Sequence, residues 1–331
     1  MTALLSVLLL GGGLIALGAC GPWLVRRSAP VLVRAPRLAV AGLLATAVLW
    51  VLTLLALGPM LSWVNDGPAV LTGAAGEVCQ RCLDSANPFG SATVTTIVPT
   101  VALLGIPLLI GSLLIGDGLA GARRQRRRTA RAAAQIVGRP VTVLGHQVWR
   151  VSDPQPYAFA LPARYGGIVV SQGCLEALPT DELEAVLAHE QAHLQQRHHS
   201  ALVLVGALVR RLSWVPLLAA IHAALPHYLE IAADDAARRQ VGTPALASAL
   251  LRLGERAEPA GFAGVGGQVL HAAGPERLHT TGPDRIRHLV CPPEAGGHAS
   301  AVMVAALLAG LAVVNAAVHL PLLAAAWGGC L

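Results

Sequence analysis

The sequence predicts a membrane α-helical fold with four spans and a cytoplasmic α+β domain placed between the third span and the fourth. Three observations predict it. The 331 residues are 54% hydrophobic, 13% charged and only 4% aromatic, with a mean hydropathy of +0.60, a balance that soluble domains rarely show. Four apolar runs reach the length of about 20 residues that a bilayer core demands. Between the last two of them lies a polar stretch long enough for a compact domain with its own core.

The runs cover residues 3–25, 38–57, 92–115 and 299–325. Their flanks are asymmetric. Arg26, Arg27, Arg34 and Arg37 separate the first two runs, and Arg123, Arg124, Arg126, Arg127, Arg128 and Arg131 follow the third, whereas the connection 62–91 holds only Arg81. Arginine-rich connections stay in the cytoplasm. The N- and C-termini are therefore expected outside and the polar domain inside, in a multi-pass protein of the cytoplasmic membrane. The first run is expected to remain as a span and not to be cleaved as a signal peptide, because its arginines follow the apolar stretch instead of preceding it. The net charge of +6 comes entirely from arginine, and these arginines sit beside apolar runs, so direct nucleic-acid binding is not expected. The domain boundaries expected are 1–116 for three spans and the external loop, 117–298 for the polar domain, and 299–331 for the last span and a short tail.

Within the polar domain, residues 141–143, 148–151, 157–160 and 167–170 are short runs rich in β-formers and bounded by Gly and Pro, which predicts a small sheet. Thr180 reads as the N-cap of the next helix, and Asp181, Glu182 and Glu184 load its first turn with charge that suits the helix dipole. That helix is expected to end at 197–199. Residues 259–274 are Gly-rich and read as a mobile loop. The segment 201–225 is apolar but carries Arg210 and Arg211. As a fifth span it would bury two guanidinium groups at about 2.5 to 3.5 kcal/mol each, so a helical hairpin against the domain or the membrane interface is expected.

The chemistry sits in the helix after Thr180, in the string His189-Glu190-Gln191-Ala192-His193. Residues four apart lie one turn above each other, so His189 and His193 can offer both imidazoles to one Zn2+ ion per chain. A hydrolytic zinc needs a third protein ligand and an open position for water. Glu230 is the best candidate, and Asp234, four residues on, can accept a hydrogen bond from the non-ligating nitrogen of a zinc histidine. Glu190 leans toward the water position and is the expected general base, giving its proton later to the leaving amine. His227 and Tyr228 are both candidates to stabilise the oxyanion. Were the segment 201–225 a span, His189 and Glu230 would lie on opposite sides of the membrane, which shared ligation forbids.

Val170-Ser171, the string 183–193, Arg197-His198 and Glu230-Ile-Ala-Ala-Asp234 together resemble the BlaR/MecR family of integral-membrane zinc metallopeptidases, with HtpX-like membrane proteases as relatives sharing the same elements. The order of three spans, a gluzincin-type domain and a final span also resembles that family. The resemblance implies zinc ligands His189, His193 and Glu230, catalytic Glu190 and supporting Asp234. It also implies a protein substrate in the cytoplasm, in that family a DNA-binding repressor or related regulator. The β-lactam sensors of that family continue into an extracellular penicillin-binding domain, whereas this sequence stops at Leu331, so their inducing signal is not expected to transfer. HtpX-like quality control of membrane proteins and a non-catalytic transducer with a structural zinc site are the rival readings.

Lesser features have simpler expectations. Cys79 and Cys82 form a CxxC in the external loop, where a disulfide, a metal or redox role, and two unlinked thiols all stay open. Cys174 and Cys291 are expected as buried thiols. Asn315 and His319, on one face of the last span, are expected to hydrogen-bond between helices. His198 and His199 could suggest another metal site, but read more simply as cations complementing a helix C-terminus. The arginine cluster at 123–131 reads as a topology and anionic-lipid anchor, with regulator docking as the lesser reading, and an edge strand within 158–170 could hold substrate by β-addition or be ordinary sheet core.

Overall fold

Where apolar runs exclude water, backbone groups must be satisfied within the segment, and helices result. The computed structural model describes residues 2–66, 81, 83–84, 86–87, 94–95, 97–134, 136, 138–256 and 298–327. Cys79, Cys82, Cys291 and the Gly-rich loop 259–274 lie outside the described residues. The chain enters through α1 (Thr2–Leu32), turns at Ala35, and returns through α2 (Pro36–Val64), whose Pro occupies the first helical turn where its missing N–H costs nothing. Short strands β1 (Asn65–Asp66) and β2 (Val94–Thr95) pair in parallel beyond it. Helix α3 (Thr100–Ala134) follows.

Two of these helices outrun the apolar stretches that predicted them. The first continues past Arg26 and Arg27, and the third runs unbroken through the expected boundary at 116/117 and through the whole arginine cluster. Arginine is a good helix former, and its long stem lets the charge reach water while the helix goes on. The helices touch through specific contacts. Trp50 Nε1 donates to the Leu14 carbonyl at 3.0 Å, and Gly58 lets α2 approach Leu103 and Pro107 of α3 so closely that a Cβ there would clash.

The sheet of the polar domain has the order β3-β4-β6-β5. β3 (Gly138–Val143) and β4 (His146–Val151) form an antiparallel hairpin. Leu144 and Gly145, both at positive φ, make its two-residue turn. β5 (Ala158–Ala160) pairs antiparallel with β6 (Ile168–Ser171), which in turn lies parallel to β4. All of β6 is buried. Ile168 and Val170 pack with Val148 on one face while Val169 joins Tyr157, Phe159 and Leu161 on the other, as strand alternation requires.

Ser171 ends β6 and caps α4 (Gln172–Ala177) by accepting from the Cys174 N–H at 3.0 Å. The next helix, α5 (Thr180–Gln195), starts where expected, but Thr180 does not cap it. Pro179 holds the cap position, and its carbonyl already accepts from the Leu183 N–H at 2.9 Å, so the first helical bond begins one residue earlier. Then come α6 (His198–Leu212), α7 (Pro216–Val241) and α8 (Thr243–Arg256). The last described helix, α9 (His298–Trp327), packs on α2, where Asn315 Nδ2 donates to Thr53 Oγ1 at 2.8 Å and His319 Nε2 lies 3.2 Å from the Leu52 carbonyl. Four of the described helices are long and apolar enough to cross a membrane, at Leu4–Leu32, Pro36–Val64, Thr100–Arg131 and Val304–Ala324.

Residues 201–225 form a hairpin, not a fifth span. α6 runs out along α3, with the Arg211 guanidinium paired to Asp117 and Arg210 seated over Gly121. The chain turns at Ser213–Val215, with Trp214 exposed at the tip, and α7 returns. The two arginines that argued against a span thus hold the hairpin to the third membrane helix. The outer half of α7 shares one apolar cluster with the spans, in which Leu218, Ile221, Leu225 and Leu229 meet Leu14, Leu43 and Trp50.

Candidate metal centre

The inner half of α7 changes character. Ala233, Ala236 and Ala237 face Ala185, Ala188 and Ala192 of α5, and side chains this small let two helix backbones approach closely. That seam sets Glu230 opposite the His189–His193 pair. The carboxylate is fully buried, and His189 is only 5% exposed.

The donor atoms converge. His189 Nε2 and His193 Nε2 lie 3.0 Å apart, His189 Nε2 is 3.6 Å from Glu230 Oε2, and His193 Nε2 is 3.2 Å from Glu230 Oε1. One ligand atom from each of the three residues falls within 4.8 Å of the others. A tetrahedral zinc with bonds of about 2.0 to 2.1 Å separates its ligands by roughly 3.3 to 3.4 Å, and the observed spacings bracket that value. Two imidazoles and one carboxylate are also the donor set of hydrolytic zinc sites that keep a position open. On both distance and chemistry the residues fit zinc.

Around this group sit the partners of the ring nitrogens that face away from it. Asp234 Oδ1 lies 2.9 Å from His189 Nδ1. His198 Nδ1 lies 2.7 Å from His193 Nδ1, and His198 Nε2 lies 3.2 Å from Gln196 Oε1. Gln196 Nε2 in turn donates to the Ala232 carbonyl of α7 at 3.3 Å. Burial, with the neighbouring His193 adding, pushes the His198 imidazole down to about 3, so it is neutral at physiological pH. This corrects the dipole reading of His198. Arg197 adopts the left-handed conformation, φ 53° and ψ 39°, ending one helix and starting the next, so His198 is the first residue of α6, buried, where a cation would oppose the dipole. His199 is likewise lowered by burial, with Arg164 adding.

The remaining expected residues fall as follows. Glu190 is 3% exposed on α5 beside His189. Burial, with the Glu190 charge adding, pushes the Cys174 thiol up to about 12, which makes it an inert core group. His227 is half-buried one turn before Glu230, with its ring edge-on to Tyr228 at 5.5 Å. Tyr228 itself is buried in the cluster shared with the spans, and burial raises its phenol. Asp235 turns outward to Arg238 and Arg239, each at 2.7 Å. Sequence reasoning had not assigned Gln196 or His198 to the site. The signal was present as a third histidine nine residues after the first, in register for a chain that reverses at Arg197.

Comparison with known proteins agrees with this geometry. Residues 121–250 match the family model of Peptidase family M48. Protease HtpX of Idiomarina loihiensis is 34% identical over 84 residues, 25% of this chain and 28% of that relative. A protease HtpX homolog of Acaryochloris marina is 28% identical over an alignment of 235 residues, covering 53% of this chain and 79% of the relative. The chain thus spans little more than a quarter of the first relative and about four fifths of the second. No solved structure matches it. Residues 121–250 are thus similar to peptidase family M48, and among the described residues they bring His189, His193 and Glu230 into one group that can hold a metal ion, in a chain with four candidate membrane helices.

Proposed function

We propose that this protein is an HtpX-like membrane endopeptidase that hydrolyses peptide bonds of protein substrates at the membrane surface. The observation that carries the reading is the double role of α7. One end holds Glu230 in the metal group, and the other end packs among α1 and α2. A cleavage site mounted on the spans in this way meets substrates at the bilayer boundary. Both relatives named above are HtpX proteases, which favours broad cleavage of membrane-associated proteins over the cutting of one repressor. The arginine asymmetry supports a cytoplasmic domain between 117 and 298 with both termini outside.

When bound, zinc supplies Lewis acidity toward the scissile carbonyl and toward water. The chain supplies the rest. Asp234 accepts the Nδ1 proton of His189, leaving the Nε2 lone pair for ligation and fixing the ring. Glu190 takes the proton of the attacking water and delivers it to the leaving amine. His227, one turn before Glu230, is the retained candidate for the oxyanion, since Tyr228 is committed to the apolar cluster. β5 is the outermost strand of the described sheet on the side of α5, so an extended substrate can add to it through backbone hydrogen bonds.

Glu190→Gln tests the reading. The variant is expected to retain zinc and lose cleavage by a factor of about 10² to 10⁴, with N-terminal profiling of cellular proteomes showing new ends from several membrane proteins only for the wild type. Identical profiles for the two proteins would contradict a peptidase, and a single soluble regulator as the only product would contradict the HtpX-like substrate range.

A further inference from the structure

The two histidines of the metal group are held by different devices. His189 has a carboxylate behind it, Asp234 at 2.9 Å, while His193 has another imidazole, His198 at 2.7 Å. An imidazole can donate or accept, so this second contact decides nothing until the other end of His198 is traced.

Gln196 settles the direction. Its side-chain N–H group donates to the Ala232 carbonyl at 3.3 Å, which turns its oxygen toward His198 Nε2 at 3.2 Å. An amide oxygen only accepts, so His198 must carry its proton on Nε2. His193 turns its Nε2 into the metal group, and an imidazole that ligates through one nitrogen carries its proton on the other, so His193 Nδ1 donates and His198 Nδ1, 2.7 Å away, accepts. His193 is left with an unprotonated Nε2, the atom that lies 3.2 Å from Glu230 Oε1 in the metal group.

We infer that His198 is a positioning residue for the metal. The relay from Ala232 through Gln196 and His198 fixes His193 in the tautomer that ligates. It also ties the end of α5 to the backbone of α7 two residues past Glu230, so the same chain of bonds holds the distance between the helices that contribute the ligands. The left-handed turn at Arg197 is what folds His198 back beneath His193.

The inference rests on the metal group and not on the peptidase reading, and its test reads metal affinity. Full-length protein in lipid nanodiscs would be titrated with zinc against a competing chromophoric chelator, and its cobalt derivative followed by visible absorption. Second-sphere partners of this kind change affinity by about 10 to 100-fold. His198→Phe, which keeps bulk but cannot accept, is expected to weaken zinc binding to that extent. His198→Asn, whose Oδ1 stands near the Nδ1 position, is expected to stay within about threefold of wild type and keep the cobalt spectrum. Gln196→Leu removes the next link without touching His193, and about threefold to tenfold weakening there supports the relay even if His198→Phe does not fold. His198→Phe binding zinc like wild type, or His198→Asn binding as weakly as His198→Phe, would overturn it. Wild-type protein that binds no zinc would instead overturn the metal centre itself.

Discussion

Gly21 of α1 lies directly against Leu217 of α7, with no room for a side chain between them. A Cβ on residue 21 would meet the Leu217 backbone and not a flexible side-chain tip, so relief requires the helices to move apart. That contact couples the first span to the helix bearing Glu230. Gly21→Val is expected to cost about 1 to 3 kcal/mol through overpacking. Gly12→Ala, on the same helix with open space around it, is expected to change stability by less than about 1 kcal/mol. Thermal unfolding of the two variants in one detergent checks the difference.

Asp234 is 1% exposed and holds the ring nitrogen of His189 that faces away from the metal group. Asp234→Ala removes the carboxylate that faces this buried nitrogen at 2.9 Å and frees the ring to turn. Zinc affinity is expected to fall by about 10 to 100-fold, measured by chelator competition. An affinity equal to wild type would show that the apolar walls alone orient His189.

Glu182 was expected to serve the helix dipole, and the structure gives it a second task. Its buried Oε1 accepts from Ser248 Oγ at 2.6 Å and from Arg252 Nε at 2.9 Å, pinning α8 to the start of α5. Glu182→Ala is expected to cost about 1 to 3 kcal/mol, since it strands Ser248 and removes a charge-assisted bond. Arg252, half-exposed, is worth less than about 1 kcal/mol when cut to Ala. Denaturation of both variants reads the inequality. The reverse order would place the stabilising energy on the surface pair.

Much of this was legible in the chain. His189, His193, Glu230 and Asp234 are local features, each pair one turn apart on its own helix, so helical periodicity alone sets which side they share. Arg210 and Arg211 showed that 201–225 turns back, because burying both charges in lipid is costly. The short runs at 141–143, 148–151, 157–160 and 167–170 became β3 to β6, but the parallel pairing of β4 with β6 depends on a crossover that no local pattern encodes. His198 was misread for a related reason. Its role needs the chain to reverse at Arg197, and a left-handed arginine has no sequence signature of the kind glycine gives. Thr180 failed as a cap because Pro179, one residue earlier, had already supplied the first helical acceptor.

The convergence of Glu230 on the histidine pair is the claim on which the site depends, and metal spectroscopy addresses it most directly. Purified protein should bind one zinc per chain, and zinc-edge X-ray absorption should show only nitrogen and oxygen neighbours at about 2.0 to 2.1 Å, two of them imidazoles. In Glu230→Ala the affinity should collapse while the helices remain folded. Zinc bound through sulfur, or held as tightly by Glu230→Ala as by the wild type, would contradict the account.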